Sequence, residues 1–121
     1  MPAIKIEIIK GKSDEYKKAL FEAVFEGLSN AISTPREKLT QRIFEWEEGN
    51  YDLAPGKSDK YTLIEVRLLP GRDAVLKKSI ISEITRTLGE LLQIPPSEIL
   101  IIISDPPLEN WGHGGLQALE W

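Results

Sequence analysis

The chain opens with a strict alternation of apolar and charged side chains. Ile4, Ile6 and Ile8 are separated by Lys5 and Glu7. A period of two places the apolar side chains on one face of an extended segment. The pattern therefore predicts a β-strand with one buried face at the start of the chain.

A helical pattern occupies most of the next twenty or so residues. Apolar residues recur about every four positions from residue 16 to residue 32, as expected for a helix with one buried side. Ser13 is the expected N-cap. Thr34-Pro35 is expected to end the helix, because proline disfavours the α conformation in the residue before it. Residues 39–46 then have strand character. The predicted buried stripe contains Tyr16, Leu20, Val24, Leu28 and Ile32, broadened by Phe21 and Phe25.

The same order of patterns begins again after a turn-rich linker, residues 49–60. Residues 64–68 alternate like the first strand, and Asp73 is the expected N-cap of a second helix that extends to about Leu92. The apolar run 99–103 predicts a strand in the interior of a sheet. Residues 105–121 contain turn signals and predict a short hairpin. The predicted buried stripe of the second helix contains Leu76, Ile80, Ile84, Leu88 and Leu91.

The two halves align without a gap when the chain is shifted by 60 residues. The shift gives eight identities, which include Gly11 with Gly71 and Pro35 with Pro95. The match predicts a duplicated β-α-β unit, with repeats at about 2–52 and 62–116 in one domain, 1–121. Each unit should pair its two strands in parallel. We therefore predict an α+β fold, a four-stranded sheet with two helices on one face, and oligomerisation to cover the other face.

The composition excludes several classes of site and partner. The net charge is −4 and the basic residues are spread along the chain, which argues against nucleic acid as a partner. The chain has no cysteine and one histidine, so it offers no thiolate and no multi-histidine metal site. No apolar run approaches the roughly 18 residues that suggest a membrane span. We expect a cytoplasmic protein with no metal or other cofactor and no membrane partner.

Three segments resemble the tautomerase superfamily, and 4-oxalocrotonate tautomerase in particular. They are MPAIKIEIIKGKSDEYKK, IEVRLLPGRDAVLKK and the closing Trp111-Gly112-His113-Gly114-Gly115. The double-unit length is similar to the malonate semialdehyde decarboxylase branch. The resemblance covers nearly the whole chain. It implies a tautomerase fold, a homotrimer, and catalysis by an amino-terminal proline.

Pro2 is the leading catalytic candidate. An initiator methionine before proline is generally removed, and we expect this at Met1. The resulting secondary amine at Pro2 is a general base if its neutral form is favoured by burial. If Met1 stays attached, the Pro2 nitrogen is an amide and Pro2 only begins a strand.

The resemblance also implies residues that bind a substrate carboxylate. Arg72 occupies the Gly-Arg turn of the second half, and its planar guanidinium suits a carboxylate. Lys12 occupies the same turn of the first half, where it keeps the charge but not the bidentate geometry. The second arginine of the family falls at Thr40, and Arg42, two residues along the same strand face, could replace it. Each of these residues is otherwise an ordinary surface side chain.

Two further residues complete the predicted site. Glu37 lies about where the decarboxylase branch has an acidic residue beside the proline, and its alternative is an exposed acid in a charged loop. Trp111 matches the aromatic wall of the family's pocket, and its alternative is a packing or interface residue.

The predicted activity is keto–enol tautomerisation of a small 2-oxo or enol carboxylate. The alternative enzyme is a decarboxylase, hydratase or dehalogenase of a small 3-oxo or unsaturated acid, which would use Pro2 with Glu37. A third hypothesis is a non-catalytic trimeric relative with a blocked amino terminus.

Overall fold

The computed structural model describes residues 2–121, and Met1 lies outside this range. The two repeated units and a closing hairpin appear in chain order. The elements are β1 (Ala3–Ile9), α1 (Asp14–Ile32), β2 (Thr40–Trp46), β3 (Thr62–Arg67), α2 (Ala74–Leu92), β4 (Ile99–Ser104), β5 (Gly112–His113) and β6 (Leu116–Gln117).

The four long strands form one mixed sheet in the order β2-β1-β3-β4. β1 pairs in parallel with β2, and β3 pairs in parallel with β4, as predicted for two β-α-β units. The two units meet where β1 and β3 pair antiparallel. Both helices cover one face of the sheet, so the predicted fold class is confirmed.

The helix ends follow the predicted caps. The Ser13 hydroxyl accepts a hydrogen bond from the Tyr16 amide at 3.1 Å, and an Asp73 carboxylate oxygen accepts one from the Leu76 amide at 2.9 Å. Each helix has 19 residues, and corresponding ends lie 60 positions apart. Both N-cap predictions are confirmed, because a side-chain oxygen satisfies an amide that the first helical turn leaves unpaired.

The core lies between the sheet and the helices. Ile4, Ile6 and Ile8 are buried there, as the alternation predicts. Leu91 is an error in the predicted stripe, because it is 47% exposed whereas Leu92 is buried. The buried side continues at intervals of four residues through Leu88 to Leu92, and Leu91 is turned away by about 100°.

The position of β4 also differs from the prediction. β4 is an edge strand and not an interior one. Ile101 and Ile103 pack toward the core, whereas Leu100 and Ile102 point the other way and are 45% and 48% exposed. Both faces of β4 are therefore apolar, and the face with Leu100 and Ile102 is uncovered within the chain.

The side of the sheet opposite the helices is here called the open sheet face. Its side chains alternate with the buried ones, and residues paired in register share a face. The open sheet face contains Lys5, Glu7, Arg42, Phe44, Glu65, Arg67, Leu100 and Ile102.

Neither of the two long helices within residues 2–121 is apolar enough to cross a membrane.

Candidate active site

The strand directions bring Pro2 and several predicted site residues to one end of the sheet, here called the proline end. β1 and β2 begin there, and the Thr40 amide donates to the Pro2 carbonyl at 3.5 Å. β3 and β4 end there, with Ala3 opposite Arg67. Pro2 itself is buried. An amine in a buried position is favoured in its neutral form, because burial penalises the charged ammonium.

Arg72 reaches the proline end from the turn between β3 and α2. Gly71 has φ of 123° in this turn, a conformation that favours glycine. One terminal guanidinium nitrogen of Arg72 donates to the Leu69 carbonyl at 3.2 Å. Within residues 2–121 this is the one hydrogen bond of the guanidinium, so most of its donors are free for a ligand.

An open cavity of about 540 Å³ lies beside Arg72. Pro2 is not among its lining residues, so within the described chain Pro2 and Arg72 share an end of the sheet but not an enclosed pocket. The cavity is lined by Gly71, Arg72, Asp73, Val75, Leu76 and Ser79.

Lys12 lies at the opposite end of the sheet from Pro2. Its ammonium donates to the Asp59 carbonyl at 2.7 Å and lies 5.7 Å from the centre of the Tyr16 ring. The length of β1, roughly 20 Å for seven residues, separates it from Pro2. β1 and β3 are antiparallel, so the turns that follow them lie at opposite ends. Within one chain the structure therefore does not bring Lys12 to Pro2, and the predicted role of Lys12 in substrate binding stays a prediction.

Glu37 is at the proline end. It belongs to a short 3-10 turn, Arg36–Lys38, directly before β2. Its carboxylate is exposed and forms no ion pair within residues 2–121. The position agrees with a role beside Pro2, but no described contact holds the carboxylate toward it.

Arg42 lies on the open sheet face, opposite Lys5 in the register. Its guanidinium is 5.6 Å from the centre of the Phe44 ring. It is two residues, about 7 Å, further from the proline end than Thr40.

Trp111 follows β4 and stands at the base of the closing hairpin. Its indole N–H donates to the Pro106 carbonyl at 3.0 Å, and its own carbonyl accepts from the Ala118 amide. The hairpin prediction is confirmed. Trp111 thus belongs to the segment that follows β4, and β4 ends at the proline end of the sheet.

Two other groups at this end of the sheet were not predicted. Lys77 and Asp105 form an ion pair at 2.7 Å, and the hydrogen bond from Lys77 lowers the pKa of the Asp105 carboxyl. Arg67, the last residue of β3, lies directly opposite Ala3. Its place on the exposed side of a strand is visible in the alternation of residues 63–67. Its proximity to Pro2 depends on the pairing of β1 with β3, which no local pattern reveals.

Within residues 2–121, no three His, Cys, Asp or Glu side chains are arranged to hold a metal ion.

Comparison with known proteins identifies the family. A family model described as "Tautomerase enzyme" matches residues 38–114, and a second one with the same description matches residues 2–58. The chain is similar to the 2-hydroxymuconate tautomerase of Comamonas testosteroni, with 38% identity over 56 residues, 46% of this chain and 89% of the relative.

Solved structures show the same fold over nearly the whole chain. A fused 4-OT, R7, described as an asymmetric trimer, has 24% identity and a TM-score of 0.88 over 98% of this chain and 97% of that one. Malonate semialdehyde decarboxylase has 21% identity and a TM-score of 0.84 over 96% and 93% of the two chains. Pt0534, solved after inactivation by 2-oxo-3-pentynoate, has 26% identity and a TM-score of 0.86 over 98% of each chain. With one family model matching more than half of its length, this chain belongs to the tautomerase family.

Proposed function

We propose that this protein is a keto–enol tautomerase of small 2-oxo or enol carboxylates. The amine of Pro2 is the general base, and Arg72 binds the substrate carboxylate. The main support is topological, because the antiparallel pairing of β1 and β3 brings the turn with Arg72 to the end of the sheet where Pro2 begins β1. The similarity to a 2-hydroxymuconate tautomerase agrees with this class of substrate.

The proposed reaction needs one proton shuttle. The neutral amine takes the proton from the enol oxygen and becomes an ammonium. The electron pair of the C=C bond then takes a proton at carbon from this ammonium, which forms the 2-oxo acid and restores the neutral amine. The Arg72 guanidinium, held by the Leu69 carbonyl, binds the carboxylate through two parallel N–H donors. The positive charge of Arg72 also disfavours protonation of a nearby amine.

The proposed active form is a homotrimer. Leu100, Ile102 and Phe44 expose apolar surface on the open sheet face, and Pro2 has no enclosed pocket within the described chain. Association through this face would bury the apolar surface and add walls near Pro2. The fused 4-OT with the same fold is a trimer.

The catalytic role of Pro2 requires the loss of Met1, which intact-mass analysis of the native, untagged protein measures. We expect a mass lower by one methionine. Uniform retention of Met1 would exclude the amine mechanism and favour the non-catalytic alternative.

Pro2→Ala tests the base directly. The wild-type protein should accelerate ketonisation of phenylenolpyruvate, followed by ultraviolet absorbance, and the variant should lose on the order of 10²- to 10⁴-fold, the usual contribution of a general base. Incubation with 2-oxo-3-pentynoate, which inactivates Pt0534, should place an adduct on the Pro2 peptide. An unchanged rate in Pro2→Ala would refute the assignment.

Decarboxylation or hydration with Pro2 and Glu37 is the alternative activity. It is supported by the exposed carboxylate of Glu37 at the proline end and by the shared fold with malonate semialdehyde decarboxylase. Glu37→Gln separates the two activities. If the enzyme is a decarboxylase, Glu37→Gln should abolish turnover of malonate semialdehyde. If it is a tautomerase that needs only the amine, the rate of phenylenolpyruvate ketonisation should stay within about two-fold of the wild-type rate.

A further inference from the structure

A second cavity lies at the end of the sheet opposite the proline end. It has a volume of about 280 Å³ and lies beside the last residues of β1 and β2. A full strand length, roughly 20 Å for seven residues, separates it from Pro2. It is therefore distinct from the proposed active site. The cavity is lined by Ile9, Lys10, Trp46, Glu47, Glu48 and Tyr51.

Trp46 forms a fixed aromatic wall of this cavity. It ends β2, where its carbonyl accepts a hydrogen bond from the Lys10 amide at 3.1 Å. Its indole N–H donates to a carboxylate oxygen of Glu7 at 3.1 Å. The ring centres of Tyr51 and Tyr61 lie 6.1 and 6.0 Å from that of Trp46. Because these contacts already hold the indole, a ligand that binds against it pays little for ordering the wall.

The turn after β2 brings Tyr51 and two carboxylates to the same cavity. The Asn50 amide donates to the Glu47 carbonyl at 3.0 Å, and Gly49 has φ of 87°, a conformation that favours glycine. The turn reverses the chain, so that Tyr51 returns to the end of β2. Glu47 and Glu48 remain exposed at the mouth of the cavity.

The charges around the cavity leave a negative surplus. The Lys10 ammonium is paired with Glu47 at 2.8 Å, and Lys17 is paired with Glu45 at 3.3 Å. Glu48 forms no ion pair within residues 2–121. The hydrogen bond to Glu47, together with the charges of Glu47 and Glu45, raises the pKa of Lys10. The field that stabilises this ammonium also favours a cationic ligand.

The second unit lacks these charges at the corresponding positions. A shift of 60 residues places Tyr51 on Trp111, so both units have an aromatic side chain there. The charged lining residues fall on uncharged ones, so the fold that the two units share does not require the charges. The replacements are Pro70 for Lys10, Pro107 for Glu47 and Leu108 for Glu48.

We propose that this cavity is a binding site for a small organic ammonium ion, separate from the proposed active site. The rings of Trp46 and Tyr51 contact the apolar part of the ligand and attract its positive charge. The Glu48 carboxylate accepts a hydrogen bond from the ammonium. The site needs neither Pro2 nor Arg72, so the proposal does not depend on the proposed function.

The binding test compares 2-phenylethylammonium with its uncharged analogue, 2-phenylethanol, by titration calorimetry of the native assembly at pH 7. The wild type should bind the ammonium more tightly by on the order of ten-fold, the combined effect of a cation–π contact and an exposed ion pair. This preference should weaken as the salt concentration is raised. Equal affinity for the two probes, or no binding of either, would overturn the proposal.

Glu48→Gln tests the carboxylate. It should lower the affinity for 2-phenylethylammonium by on the order of three- to five-fold, the usual contribution of an exposed ion pair, and leave the affinity for 2-phenylethanol unchanged. Glu109→Gln is the matched control, because Glu109 is also exposed and forms no ion pair within residues 2–121. It should change neither affinity. Equal effects of the two variants would disprove the role of Glu48.

Nuclear magnetic resonance locates the ligand without any measurement of activity. The chain has three tryptophans, and the indole N–H signal that is lost in Trp46→Phe belongs to Trp46. This signal should shift and then saturate as 2-phenylethylammonium is added, whereas the signals of Trp111 and Trp121 should stay in place. A shift of the Trp111 signal with none at Trp46 would place the ligand at the proline end and refute the second site.

Discussion

Arg72 and Lys12 occupy corresponding positions in the two units, but their surroundings differ. Arg72 has one hydrogen bond, to the Leu69 carbonyl beside its own turn. Lys12 reaches 47 residues along the chain to the Asp59 carbonyl, so its charge holds the linker at the end of the sheet away from Pro2. The same position in the repeat therefore has a candidate binding role in one unit and a structural role in the other.

Arg72→Ala and Lys12→Ala form a matched pair of predictions. Loss of the Arg72 guanidinium should raise KM for phenylenolpyruvate, with a fall in kcat/KM of on the order of 10- to 100-fold, because a charged hydrogen bond contributes roughly 1.5–3 kcal/mol. Lys12→Ala should leave kcat/KM within about two-fold. Steady-state kinetics of both variants checks this, and a larger effect from Lys12→Ala would contradict the geometry.

Glu98 gives a pH-dependent prediction at the same scale. The Ser58 hydroxyl donates a hydrogen bond to the Glu98 carboxylate, and the Ser58 amide donates a second one at 2.8 Å. Both bonds lower the pKa of Glu98 below its ordinary 4.5, and the bond from the hydroxyl has the larger effect. The contact with the ionised group therefore stabilises the fold above about pH 4.5, and this contribution is lost as the pH falls through the lower pKa of the folded state.

We expect Glu98→Gln to unfold at a lower temperature than the wild type at pH 7, with a difference that shrinks below pH 4.5. Thermal unfolding followed by circular dichroism at several pH values measures it. Glu109→Gln is the control, because Glu109 is exposed and its carboxylate has no partner within residues 2–121. A difference that is constant with pH would show that the charge of Glu98 does not matter.

At the scale of elements, the crossing of α1 and α2 depends on a glycine. An added Cβ at Gly27 would lie 2.6 Å from the Ile84 Cα and 2.8 Å from the Glu83 carbonyl oxygen. The position 60 residues later is Thr87, whose hydroxyl donates to the Ala23 carbonyl at 2.6 Å. The two units therefore differ where α1 and α2 cross. α1 has a glycine there, and α2 has a threonine that makes a buried hydrogen bond to α1.

Gly27→Ala should destabilise the protein by about 1–3 kcal/mol, the usual range for overpacking, because the atoms that must move are backbone atoms. Gly89→Ala is the matched control in α2. Its Cβ would meet only the Ile94 carbonyl oxygen at 3.7 Å, so alanine should stabilise the helix by roughly 0.5–1 kcal/mol. Urea unfolding of both variants measures the difference. If both changes had the same effect, the close helix contact would be disproved.

At the scale of the whole molecule, the open sheet face is the side of the sheet that neither helix covers. Three apolar side chains are exposed on it. Phe44 lies on the edge strand β2, and Leu100 and Ile102 lie on the opposite edge strand, β4. Edge strands with exposed apolar side chains favour association with another chain. The proposed trimer would place these residues between copies.

Ile102→Glu should therefore reduce the mass of the assembly below that of a trimer, because a carboxylate would be buried without a partner. Ile81→Glu makes the same change on the outer side of α2, where Ile81 is 41% exposed compared with 48% for Ile102, and should leave the trimer intact. Light scattering after size-exclusion chromatography measures both masses. A monomeric wild type, or a trimer that survives Ile102→Glu, would contradict the proposed interface.

Local patterns along the chain were sufficient for the two units and their helices. Alternation identifies β1, four-residue spacing identifies α1 and α2, and the side chains of Ser13 and Asp73 mark where the helices begin. These features depend on contacts between residues a few positions apart, so they are visible in the sequence. The resemblance of the short motifs added the family and the choice of Pro2, Arg72, Glu37 and Trp111.

Only the tertiary structure decided which of these residues lie together. The order β2-β1-β3-β4 makes β4 an edge, and the antiparallel pairing of β1 with β3 places Arg72 and Arg67 near Pro2 and Lys12 far from it. Strand order and direction come from pairing between residues 37 to 64 positions apart, and the same alternation is compatible with either direction. A sequence pattern shows which face of a strand is buried, whereas the pairing of strands shows which ends share a site.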